Sequence, residues 1–417
     1  MGQLFQSLQI LNENGLQNQA TDILIENGTI VAIGQNLSIN GHDVVDAKNW
    51  IVSLGWKDCF TVCRVPGSEH KDTINSLVKS AHLGGYTELL LVSGGATPID
   101  SAVKVEFISQ NFKNHALKIH TSGTISYKQE GKEITEMYDM FLSGAKFFSD
   151  GIQHLKNPEL LKRALLYTQT FESKLMVYSE DSYMSENGMV NEGEVSAVLG
   201  MKTRPALSEE IAVIRNIYIS QYTNRPIHLS GISSARSVEI IREAKLKGIA
   251  VTADVSIANL FFTDEVLKDF DTQYKVLPVL RTAKDKEALL NGVLDGTIDL
   301  VASHHAPQDN ESKDCEFDLA DFGSSNLEFT AAALWKILGG NAEKFYDLMY
   351  TKPSLFLNQE VQKLQVGAKA NLSFFSVENQ NIDSQMFKGP SKSSIFTGET
   401  LPLKVKGVCI EGKFIQL

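Results

Sequence analysis

The residues of this chain able to do chemistry stand at a few polar stops in otherwise apolar segments. Asp150 lies in Ser149-Asp150-Gly151, and Tyr178-Ser179-Glu180-Asp181 sets a phenol beside two carboxylates. Imidazoles come with His228-Leu229-Ser230-Gly231 and with Ser303-His304-His305-Ala306-Pro307-Gln308. Arg64 closes Asp58-Cys59-Phe60-Thr61-Val62-Cys63-Arg64, where the alternating pair Phe60 and Val62 shares one side of a strand without offering a lone pair. A carboxylate at Asp150 facing His304 would make an acid–base couple or an ion pair across the site. Arg64 carries a planar fork suited to a carboxylate. Tyr178 with Glu180 and Asp181 reads as an acid–base cluster or, as we favour, as packing around a space-filling ring. For residues 187–200 a lid or interface loop and an ordinary loop before a helix stand even.

These stops must be positioned by regular elements, and the chain supplies them in alternation. Apolar strand patterns occupy 51–60, 87–93, 117–121, 146–149, 174–179, 226–231, 249–255 and 298–304. Helical periodicity follows each of them, over 72–83, 99–114, 133–142, 158–173, 208–222, 234–247, 284–294 and 326–338. Eight even strand–helix pairs, with glycines at helix ends such as Gly84-Gly85, Gly144, Gly248 and Gly296, predict a closed (β/α)8 TIM barrel rather than an open doubly wound sheet. In such a barrel the polar stops sit together, at the carboxyl ends of the strands. Near the start, Asn27-Gly28 between two β-branched runs marks a hairpin, and similar strand texture returns near the end. The expectation is a small β-sandwich domain built from 1–55 and 359–417, with the barrel spanning 56–358.

The formal net charge of -11 argues against nucleic acid or an anionic membrane as partner. No apolar run approaches the roughly 18 residues that span a bilayer, and the first residues lack a signal-peptide pattern. The four scattered cysteines, Cys59, Cys63, Cys315 and Cys409, fit a reducing compartment, so a cytoplasmic protein is expected. Cys59 and Cys63 have neither redox nor zinc spacing and read as small buried residues.

With these elements in place the sequence resembles dihydroorotase, of the amidohydrolase superfamily, over nearly its whole length. Residues 58–67 look like the family's D-x-H-x-H-L-R-E-P-G. Val92-Ser93-Gly94-Gly95 stands where the family has M-P-N-T, and Asn191-Glu192-Gly193-Glu194-Val195-Ser196-Ala197 matches its N-E-G-E-V-S-A. Ser233-Ser234-Ala235-Arg236-Ser237, Lys275-Val276-Leu277-Pro278-Val279-Leu280-Arg281, Phe322-Gly323 and Leu327-Glu328 agree as well. The resemblance implies a zinc site, and its six ligand positions fall on Phe60, Val62, Asp150, Tyr178, Gly231 and His304. Only Asp150 keeps its chemistry there. Among substrate contacts Arg64 is retained, while Gly94, Leu277 and Gln308 replace two asparagines and a histidine.

That family's hydrolysis needs a Lewis-acid metal to polarise the amide and activate water. The expectation is therefore no catalytic residue, no metal and no cofactor. His305 is read as tying loops through hydrogen bonds and His304 as filling the space of a lost aspartate. The resemblance implies a structural or regulatory partner of aspartate carbamoyltransferase in pyrimidine biosynthesis, with homodimerisation expected from the family. Two alternatives are an active cyclic-amide hydrolase using Asp150, His304 and Arg64, and a sensor binding an acidic pyrimidine precursor through Arg64.

Overall fold

A computed structural model describes residues 2–387 and 389–417, so Met1 and Lys388 lie outside the described residues. Eight parallel strands run in chain order: Trp56–Cys63, Tyr86–Ser93, Lys118–Gly123, Phe147–Phe148, Lys174–Tyr178, Ile227–Ser230, Val251–Ser256 and Leu300–Ala302. A parallel bridge between Thr61 and His305 joins the first strand to the chain leaving the eighth, and the Val62 N–H donates to the His305 carbonyl at 2.8 Å. That bridge closes the barrel.

The helices Ile74–Leu83, Ala102–Phe112, Met137–Leu142, Pro158–Tyr167, Ala206–Thr223, Ala235–Leu246, Ala283–Asp295 and Thr330–Ile337 follow the strands in turn. Their starts are set by side chains. Thr73 and Thr282 form capping boxes, Asn157 caps a helix that opens on Pro158, and Ser234 accepts from the Ser237 N–H. After three of them the chain turns through left-handed backbone at Gly144, Gly248 and Gly296.

The strand pattern over 51–60 divides in two. Ile51–Leu54 pairs antiparallel with Leu372–Ser376, whereas Trp56–Cys63 enters the barrel and runs three residues past Phe60. Gly55 is the break, and a Cβ there would stand 2.2 Å from Thr87 Oγ1. The absent side chain lets the two sheets share one continuous backbone.

The chain ends meet in a nine-stranded mixed sheet. Its long strand Gly2–Asn12 pairs with His42–Asp46 before Ser7, with Thr21–Glu26 on both sides of it, and with Ile51–Leu54 beyond it. Ser7, at φ 62, interrupts the ladder between the two halves. The Asn27-Gly28 turn takes positive φ at both residues, the geometry a two-residue hairpin requires. Phe5 stacks on Phe374 at 4.6 Å, so residues from opposite ends of the sequence share one core. Cys59, Cys63 and Cys409 are free and buried. Burial pushes the Cys63 thiol up to about 12. Among the described residues no helix is long and apolar enough to cross a membrane.

Candidate functional site at the barrel mouth

The carboxyl ends of the barrel strands are packed solid at their centre. Phe60, fully buried, lies flat on the imidazole of His304, with ring centroids 4.1 Å apart and planes 11° from parallel. The Nε2 of His304 bonds Asp254 Oδ1 at 2.6 Å, and the Nε2 of His228 bonds Asp254 Oδ2 at 2.9 Å. A carboxylate only accepts, so both imidazoles carry their proton on Nε2. The Gly231 N–H donates to Asp254 Oδ1 at 2.9 Å, and His228 Nδ1 lies 2.9 Å from Thr252 Oγ1. Burial alone would raise the Asp254 carboxyl, but His304 and His228 outweigh it and hold the group well below the usual carboxylate range. The backbone of His304 is left-handed, at φ 45.

Around this triad the small residues are matched by large ones. A Cβ on Gly231 would lie 2.8 Å from Pro278 Cγ, 3.2 Å from His304 Cε1 and 3.3 Å from Tyr178 Cε2. Tyr178 and His304 thus close over a position without a side chain. A Cβ on Gly94 would lie 2.1 Å from Val62 Cγ1, so Val62 occupies the space above that glycine. Each of these pairs joins two positions at which the sequence departs from the resembled motifs.

Asp150 and His304 are not brought together. Asp150 Oδ1 accepts from the Ile125 and Ser126 N–H groups at 2.8 and 3.0 Å, and Oδ2 from Ser126 Oγ at 2.6 Å. In place of the contact expected across the site, His304 bonds Asp254, which stands on the adjacent seventh strand. Burial lifts the Asp150 carboxyl to about 6 despite its three donors. Asp58 fastens the first strand to the eighth, accepting from the Ser303 N–H at 2.7 Å and from Ser303 Oγ at 2.8 Å. His305 Nδ1 accepts from the Asn326 and Leu327 N–H groups, both at 3.2 Å, and so ties the loop before the last barrel helix to the barrel rim.

Arg64 donates from Nε to the Pro307 carbonyl at 3.1 Å and from Nη1 to the Gly94 carbonyl at 2.8 Å. It borders a cavity of about 350 Å³, lined also by Lys71, His154, Glu180, Arg204, Gln308 and Asp321, with Lys71 paired to Asp321 at 2.6 Å. Glu180 is paired with Arg204 at 2.5 Å. Burial, with Lys156 and Arg204 nearby, lowers His154 to about 4, so its imidazole is neutral at pH 7. Gln308 is buried, and its Oε1 has no partner while Nε2 donates to the Phe322 carbonyl.

The loop at 187–200 is clamped from beneath. Arg281 bonds Asn191 Oδ1 at 2.9 Å and lies 3.5 Å from Glu209, and Asn191 donates to Asp264 at 3.0 Å. Reasoning from the sequence missed Asp254 as a partner for the imidazoles. The signal present was a carboxylate inside the apolar strand Val251-Thr252-Ala253-Asp254-Val255, a place where an unpaired charge is untenable. Of the six expected positions, only Asp150, Tyr178 and His304 hold side chains with lone pairs.

An eight-stranded parallel barrel, with a mixed sheet from both chain ends and polar strand ends at one mouth, is the architecture of the solved hydantoinases. The fold matches L-hydantoinase (dihydropyrimidinase) from Arthrobacter aurescens with TM-score 0.86 at 19% identity, over 99% of this chain and 96% of that one. A D-hydantoinase matches with TM-score 0.83 at 21% identity, over 100% and 95%. Sequence narrows the class. Residues 54–237 match a family described as dihydro-orotase-like. The dihydroorotase of Acetivibrio thermocellus is 34% identical over 410 residues, covering 97% of this chain and 95% of the relative. That of Bacillus subtilis is 32% identical over 404 residues, covering 95% and 94%. The chain belongs to the dihydroorotase family.

Proposed function

We propose that this protein is a non-catalytic dihydroorotase homologue of pyrimidine biosynthesis, whose barrel is kept as a structural or regulatory partner of aspartate carbamoyltransferase. The observation that carries the reading is the occupied mouth, where Phe60 covers His304 and His304 is spent on Asp254. A zinc site needs imidazole or carboxylate lone pairs converging on one point. Phe60, Val62 and Gly231 supply none, Asp150 is turned to Ser126, and Tyr178 fills the space over Gly231. These residues do not fit the metal that the family resemblance implies. A rearranged hydrolytic site from Asp150, His304 and Arg64 finds no support either, since each of the three is held by different protein groups.

A fold of this size, maintained around a filled centre, suits a role made of surfaces. Gel filtration of the protein mixed with the aspartate carbamoyltransferase of its own organism tests this. Co-elution, with a change in carbamoyltransferase activity or stability, is expected. Independent elution at micromolar concentrations would count against the partnership.

One observation favours a second reading, a sensor. In the cavity beside Arg64, Lys71 is paired with Asp321 and Arg204 with Glu180, so Arg64 and the unused acceptor on Gln308 are what would meet an acidic ligand with an N–H group. Calorimetry with dihydroorotate and carbamoyl aspartate separates the two readings: heat that disappears in Arg64→Ala supports the sensor, and no heat supports the scaffold.

A further inference from the structure

The end of the barrel opposite the mouth holds a second cavity, of about 440 Å³. The first residues of strands five to eight, Lys174, Ile227, Val251 and Leu300, line it. The short helix Lys352–Phe356 adds Lys352, Leu355 and Phe356 to its wall. The volume falls within the roughly 300–1,000 Å³ of small-molecule sites. Chemistry on a (β/α)8 barrel belongs to the carboxyl ends of the strands, so this cavity is separate from the mouth and from the one beside Arg64.

Most of the wall is aliphatic, and the charge in the remainder is unbalanced. Its one carboxylate, Asp299, is engaged: Oδ2 accepts from Lys245 Nζ at 2.7 Å and from the Ala253 N–H at 2.8 Å. Thr252 and His228 bond each other. The two lysines are different. Lys174 Nζ donates to the Phe356 carbonyl and lies 4.7 Å from the centre of the Phe356 ring, and among the described residues neither Lys174 nor Lys352 forms an ion pair. Around Lys352 the charges of Lys344 and Lys245 offset those of Asp347 and Asp299. Burial lowers both ammonium groups, as it does for a cation short of counter-charge.

We propose that this cavity binds a small organic monocarboxylate with an apolar body, its head group on Lys352 and Lys174 and its body against the aliphatic strand ends. Two cations without partners call for an anion, and an ammonium has three N–H groups to give. Asp299 in the same wall favours one negative charge over two. The aliphatic lining calls for a body that water does not hold. Leu355 is 59% exposed at the cavity wall, and a bound chain would cover it. His228 gives the site a reporter. Its ring lies 4.5 Å from that of Phe356 between centroids, and its Nε2 bonds Asp254, whose other oxygen meets His304 beneath Phe60. A ligand pressing on Phe356 therefore acts on the hydrogen-bond chain that runs to the mouth.

Calorimetric titration of the full chain with octanoate tests the proposal. Saturable binding at one site per chain is expected, with a dissociation constant on the order of 100 micromolar. Octanol, which lacks the charge, and acetate, which lacks the body, should each bind at least about tenfold more weakly. Lys352→Gln should weaken octanoate by a similar factor. Ala250→Trp, at an exposed position on the cavity wall, should abolish binding with unchanged circular dichroism. Arg64→Ala, at the other end of the barrel, should leave it intact. Octanoate should also move the His228 imidazole resonances in the wild type and not in Ala250→Trp. If Lys352→Gln loses its fold, Ala250→Trp and the comparison with octanol decide. No saturable heat up to about 5 mM octanoate overturns the proposal, as does octanol binding as tightly as octanoate. Binding that survives Ala250→Trp, or that is lost in Arg64→Ala, places octanoate elsewhere and overturns it as well.

Discussion

The ring of Phe60 and the imidazole of His304 lie 4.1 Å apart between centroids, 11° from parallel, and the same imidazole bonds Asp254 at 2.6 Å. A hydrophobic side chain from the first strand thus covers a hydrogen-bonded imidazole from the end of the eighth. Phe60→Ala removes the whole cover from a fully buried position. A loss of about 3–5 kcal/mol is expected from urea unfolding, the usual cost of deleting a buried ring. A loss below about 1 kcal/mol would show that the stack contributes little.

Gly231 tests the tightness of the same centre. Its φ of 69 is a left-handed conformation, and a Cβ would press on Pro278 at 2.8 Å. Gly231→Ala is expected to cost about 1–2 kcal/mol from backbone strain alone, with the Pro278 contact adding to it. Unchanged stability would mean that Tyr178, Pro278 and His304 yield readily.

Asp254 links stability to acid. Its folded carboxyl is held below the ordinary carboxylate value of about 3.8, so its contribution is fully present above that value and is lost as pH falls toward the folded one. Unfolding midpoints between pH 2.5 and 7 should therefore drop for the wild type below about pH 4. Asp254→Asn should lack that acid limb and be less stable at pH 7 by about 3–5 kcal/mol, since two buried imidazoles lose their partner. Parallel pH profiles for the two proteins would contradict the triad.

Asp150 behaves in the opposite sense. Its carboxyl is raised to about 6, so the folded state holds the proton more tightly than the unfolded chain does. Stability then declines as pH rises from about 4 to 6, and is constant above. Asp150→Asn keeps the acceptor for the Ile125 and Ser126 N–H groups and should abolish that decline. Carboxyl carbon NMR should place the Asp150 midpoint near 6; a midpoint at the ordinary value would refute the account.

The barrel was legible in the sequence because each strand–helix pair states its own period, and because capping residues such as Thr73, Asn157 and Thr282 mark the helix starts. The hairpin at Asn27-Gly28 was equally plain. The break at Gly55 was hidden, since Ile51–Leu54 and Trp56–Cys63 are both buried apolar strands and nothing in their composition says which sheet each joins. At the mouth, the positions that changed were readable one at a time. Their pairing was not, because Asp254, His228 and His304 meet across separate strands through distances that only the closed barrel defines.

The central claim is that the barrel mouth cannot perform metal-assisted hydrolysis. Its most direct test is dihydroorotate hydrolysis by purified protein at high concentration, with and without added zinc, in a preparation free of host dihydroorotase. The account predicts no turnover above the protein-free rate in either condition. Turnover that rises with zinc would contradict it, and would place a metal on residues assigned here to packing.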